Sequence, residues 1–169
     1  MDDFDSRPIV VGVDGSAASH AALRWAVDEA GRRGCAIDAI LAWQGGYGMM
    51  IGAVTPDLLA ESTPEREHDR WRRVLDDAVA DVDAGGGIRM VLVTQDAGPA
   101  LVEASKDAAL LVVGTHGAGP VRSALLGSVS AHCVRHSTCP VVVVREPSPR
   151  KDRSAAVGSG ALATPGPLL

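Results

Sequence analysis

Gly114-Thr115-His116-Gly117 is followed, after nine intervening residues, by Gly127-Ser128-Val129-Ser130, which writes G-x2-G-x9-G-S along the chain. Glycines at 114 and 117 let backbone N–H groups approach a ligand closely. Gly127, Ser128 and Ser130, in or just ahead of a helix, can present amides and hydroxyls to an anion. A phosphate chain suits such a cradle. Read without a ligand, the same glycines make tight turns around a close helix–strand contact. Far upstream, Asp14 closes an apolar run in Gly12-Val13-Asp14-Gly15-Ser16. Its carboxylate is placed either to accept hydrogens from a ligand or to cap the next helix with Ser16.

Other chemistries lack their residues. G-x-x-x-x-G-K-[ST] and G-x-S-x-G are missing, and Gly12-Val13-Asp14-Gly15 does not fit G-x-G-x-x-G. This argues against a P-loop NTPase, a triad hydrolase and an ordinary NAD-binding domain. His132 and His136 stand four apart on one helix face. They read as metal ligands together with Cys139, or as the polar end of an amphipathic helix.

The elements that must position these residues alternate. Short β-branched runs at Ile9–Val13, Ile37–Ala42, Arg89–Val93, Leu110–Val113 and Val141–Val144 are separated by helical patterns. The apolar stripes are Ala22, Ala26, Ala30; then Trp71, Leu75, Val79, Val82; and finally Leu126, Val129, Cys133. A shorter helix is expected over Pro99 to Lys106. Ser62-x-x-Glu65 matches a capping box, and Pro64 suits a first turn, so one helix is expected to start near residue 63. The pattern predicts an α/β fold of flavodoxin or Rossmann type: a five-stranded parallel sheet, order 3-2-1-4-5, with four helices on both faces. In that order Asp14 and Gly114 meet where the strand order reverses, the crevice in which such sheets bind ligands.

The 169 residues, with 46% hydrophobic and 22% charged content, suit one domain over 1–146 and a disordered tail over 147–169. The glycine-rich stretch 44–61 reads as a lid or as a loop tucked against the domain. A net charge of −5 gives no support to nucleic-acid binding by counterion release. Three cysteines without a C-x-x-C pair suggest reduced thiols, and the acidic start and short apolar runs suggest a cytoplasmic protein without membrane attachment.

With VVGVDGS near the start, GTHGAG after the fourth strand and LLGSVSAHCVRHSTCPVVVVR before the tail, the chain resembles a universal stress protein of the nucleotide-binding kind. The resemblance spans nearly the whole folded unit and implies a bound ATP, with or without Mg2+. It assigns the adenosine end to Asp14, with Gly12 and Val13, and to the backbone near Ala42. Val113, Gly114, His116 and Gly117 go to the ribose and phosphates, and Gly127, Ser128, Val129 and Ser130 to the phosphate chain. Many relatives carry Arg where this chain has Ala118, so one cationic contact is replaced or left to Arg122. The family usually dimerises, and Val141–Val144, apolar on both faces at a sheet edge, gives an independent reason for pairing through strand 141–145. The alternative is that the tail covers that edge.

The resulting expectation is an ATP-binding regulatory or stress-response module that acts on an unidentified protein partner and has no evident catalytic base. The alternatives are a slow ATPase or autophosphorylating enzyme, and an interaction protein binding cyclic AMP or no nucleotide. Trp43, just beyond the second strand, is expected to report on the adenine end.

Overall fold

A computed structural model describes residues 6–44, 63–82, 87–116 and 126–146. The expectations for the 44–61 stretch beyond Gln44, for Ser62, for Gly117, Ala118 and Arg122, and for the tail lie outside these residues. The described elements are β1 (Ile9–Gly12), α1 (Ala17–Arg33), β2 (Ile37–Trp43), α2 (Pro64–Ala80), β3 (Ile88–Thr94), α3 (Ala97–Ala104), β4 (Leu110–Gly114), α4 (Ser128–His136) and β5 (Val141–Val144). A short 3-10 turn, Ser105–Asp107, ends α3. The five strands form one parallel sheet in the order β3-β2-β1-β4-β5.

β1 lies at the centre, and Ile9, Val10 and Val11 are almost wholly buried, as a strand covered on both faces requires. Alternation along the strands divides the core into two layers. Ile9, Val11, Leu41 and Leu110 face α1 and α2, where Ala22, Leu23, Ala26 and Leu75 meet them. Val10, Ile40, Leu111 and Val113 face α3 and α4, against Leu101 and Cys133. The edge strands β3 and β5 are only half-buried.

Local signals set the helix ends. Ser16 caps α1 by accepting the Ser19 N–H on its hydroxyl at 3.2 Å. Gly34 closes the same helix in the left-handed region, φ +67°, and its N–H reaches the Ala30 carbonyl at 2.8 Å. For α2 the cap is Thr63 rather than Ser62, which leaves Pro64 at the first helical position, where its missing N–H costs nothing. The helix over 97–104 starts two residues before Pro99, because a proline at the third position still falls among amides that have no intrahelical partner. Leu126 stands outside α4, since Gly127 is extended and serves as its N-cap.

One polar residue sits inside an apolar strand. Asp38 is 6% exposed, and its carboxylate takes a two-point hydrogen bond from the Arg89 guanidinium, its register partner on β3. That pairing raises the Arg89 pKa, first through the hydrogen bond and then through charge.

Candidate functional site

The site is assembled at the carboxyl ends of β1 and β4, adjacent strands whose chain connections run to opposite sides of the sheet. Asp14 follows β1. Its Oδ1 accepts the Ser16 N–H at 3.0 Å, and Gly15, at φ +79°, supplies the left-handed turn between them. The capping role therefore falls to Ser16 alone. Asp14 holds the loop in shape from two residues before the cap and is half-buried at the crevice.

Thr115 organises the other wall. Its N–H donates to the Val144 carbonyl at 2.9 Å, tying the end of β4 to β5. Its carbonyl accepts the Gly127 N–H at 2.7 Å and the Ser130 hydroxyl at 3.0 Å. One backbone oxygen thus docks the first turn of α4 on the end of β4. The sequence motif names Gly114 and Gly127 but passes over Thr115; its only signal was a place between motif residues. The two loops also touch, because the Ser16 hydroxyl donates to the His116 carbonyl at 3.5 Å.

Two glycines of the motif, Gly114 and Gly127, serve this packing. A Cβ on Gly114 would lie 2.8 Å from the Ala18 carbonyl carbon, and one on Gly127 would lie 3.3 Å from the Thr115 oxygen. The helix–strand reading of these glycines is realised in the contacts. Gly12 likewise makes room for Leu101, whose Cδ1 would lie 2.9 Å from an added Cβ. Val13 and Val113 are buried in opposite core layers.

What faces outward is the first turn of α4. Its first intrahelical bond runs from the Ala131 N–H to the Gly127 carbonyl at 2.9 Å, so the amides of Ser128, Val129 and Ser130 precede the helical ladder. No acidic residue lies in that turn, and the positive end of the helix dipole is unopposed there by a carboxylate of its own helix. Ser128 is exposed, Val129 is half-buried, and the buried Ser130 hydroxyl is engaged with the Thr115 and Gly127 carbonyls. The α4 amides can hold an anion, while Ser130 fixes their position.

The structure places two further groups of sequence candidates. Ala42 is half-buried near the carboxyl end of β2, but Trp43 is 7% exposed and packs into the layer under α1 and α2. Trp43 belongs to that core, and its indole Nε1–H has no hydrogen-bond partner. No group of three or more His, Cys, Asp and Glu among the described residues is placed to hold a metal ion, so Cys139 does not complete a site with His132 and His136. Cys139 packs on the second core layer instead. No helix among the described residues is long and apolar enough to cross a membrane.

The sequence matches the model of the universal stress protein family over residues 6–145. The chain belongs to the universal stress protein family. Among curated members, it is 37% identical over 145 residues to a universal stress protein of Mycolicibacterium smegmatis, covering 83% of this chain and 47% of that protein. It is 32% identical over 154 residues to one from Mycobacterium tuberculosis, covering 83% and 48%. The chain spans about half the length of these family members. A solved universal stress protein in complex with cAMP superimposes with a TM-score of 0.62 at 26% identity, covering 84% of this chain and 98% of the other.

Proposed function

We propose that this universal stress protein binds an adenine nucleotide, with ATP the leading ligand, in the crevice between β1 and β4, and that occupancy modulates a protein partner. The observation that carries the reading is the Thr115 carbonyl, which sets the N-terminus of α4 beside the end of β4 and opposite the Asp14 loop. In this arrangement the amides of Ser128, Val129 and Ser130 receive the phosphates, and the Asp14 carboxylate receives hydroxyls of the sugar. The backbone near Ala42 lies toward the base. A Mg2+ ion accompanying ATP would neutralise charge on the phosphates. The cAMP complex of a family member supports the adenine part and makes a cyclic nucleotide the second reading.

Binding is the primary act in this reading, since the buried Ser130 hydroxyl is held by two carbonyls rather than aimed at a phosphorus atom. Calorimetry of nucleotide-stripped protein with ATP, ADP and cyclic AMP, with and without Mg2+, tests it. Saturable ATP binding is expected; a folded protein that binds none of the three overturns the proposal. The half-buried β5 edge further supports a two-fold homodimer through strand 141–145.

A further inference from the structure

On α4, away from the nucleotide crevice, His132 and His136 bring their rings to a centroid separation of 4.5 Å with planes inclined by 42°. Two imidazole nitrogens bound to one ion at about 2.0–2.1 Å, at angles between square and tetrahedral, place their ring centroids about 4.5–5.2 Å apart. The observed centroid separation falls within that range.

Two further features favour a cation there. The side of the His132 ring formed by Cγ and Cδ2 is turned to Gly98 of α3, where a Cβ would lie 3.0–3.1 Å from those atoms. The absent side chain gives the ring its seat, and the neighbouring helix limits its movement. The pair also lies toward the C-terminal end of α4, where the helix dipole presents partial negative charge. Arg135, the adjacent cation, turns its Nε to the Ala131 carbonyl at 3.1 Å, on another side of the helix.

We propose that His132 and His136 form a two-point site for a divalent transition-metal ion of the imidazole-binding class, zinc or copper. His132 is half-buried and His136 exposed, so the site opens to solvent. With no third His, Cys, Asp or Glu grouped beside them among the described residues, the ion completes its shell with water or with a donor from another molecule. The site is independent of the nucleotide reading.

Zn2+ titration of the nucleotide-free full chain, followed by calorimetry and by the histidine ring resonances, tests the proposal. Of the five histidines, His132 and His136 are expected to shift together, saturating at one equivalent, while His20, His68 and His116 do not. His132→Asn and His136→Asn should each weaken binding about tenfold or more, because each removes half of the chelate. Wild-type affinity in the double variant, movement of the other histidines instead, or no saturable binding would each overturn the site. Thermal melting of the variants without metal separates loss of ligands from loss of fold.

Discussion

Gly114 and Ala18 meet so closely that a methyl group on the glycine would lie 2.8 Å from the carbonyl carbon and 3.0 Å from the carbonyl oxygen of Ala18. Backbone is hard to displace, and here it belongs to the first turn of the helix that follows Asp14. Gly114→Ala is therefore expected to destabilise the domain by about 1–3 kcal/mol through overpacking. Denaturant unfolding measures this, and an unchanged midpoint would show that α1 yields. Loss of nucleotide binding in a Gly114 variant has meaning only beside that measurement.

A cleaner probe of the anion site is Ser128. It is exposed at the first position of α4, so an acidic replacement meets no core packing and favours the helix dipole. The same negative charge would oppose a bound phosphate. Ser128→Asp is expected to hold or slightly raise thermal stability while weakening ATP binding about tenfold, roughly 1.4 kcal/mol. Equal ATP affinity in the two proteins would move the phosphates away from α4.

The sheet order was legible because β-branched runs and helical stripes alternate without ambiguity, and β5 occupies the residues expected of it. The ends of other elements were less so. Ser62 and Thr63 are chemically equivalent caps, and the choice turned on Pro64 taking the first helical position. Asp38 was hidden in an apolar run because its partner, Arg89, is remote in sequence and meets it only through strand register. The motif set Gly114 at the end of β4 and Gly127 at the start of α4, but it could not tell that these glycines pack against Ala18 and Thr115. That packing depends on interatomic distances, and spacing does not encode them.

The edge at β5 gives a separate test. The Leu111 N–H donates to the Pro140 carbonyl at 3.0 Å and the Thr115 N–H to that of Val144 at 2.9 Å, so the even-numbered positions face β4. By alternation the backbone of Val143 faces outward. Val143→Pro removes an outward N–H while keeping the inner ladder, a substitution that edge strands tolerate. Sedimentation should then show a dimer for the parent and a monomer for the folded variant. A variant dimer would place the contact elsewhere.

Cys133 gives the chain an alkaline weakness. Burial against Leu111 and Val113 pushes its thiol up to about 11, from 9.0 for an unburied group. A group whose folded pKa is raised contributes no penalty while both states hold the proton, so stability is unaffected below about pH 9. Between about 9 and 11 the unfolded chain loses the proton and the folded chain keeps it, which favours unfolding. The loss is expected to reach about 2 kcal/mol at the upper end, because the full slope of roughly 1.4 kcal/mol per pH unit holds only midway between the two titrations. Cys133→Ala should remove this slope at the cost of a small cavity. Because the thiolate is the reactive form, native Cys133 should also resist alkylation at pH 8 until the protein unfolds. Rapid labelling of Cys133 in the folded protein, located by peptide mass, would contradict both expectations.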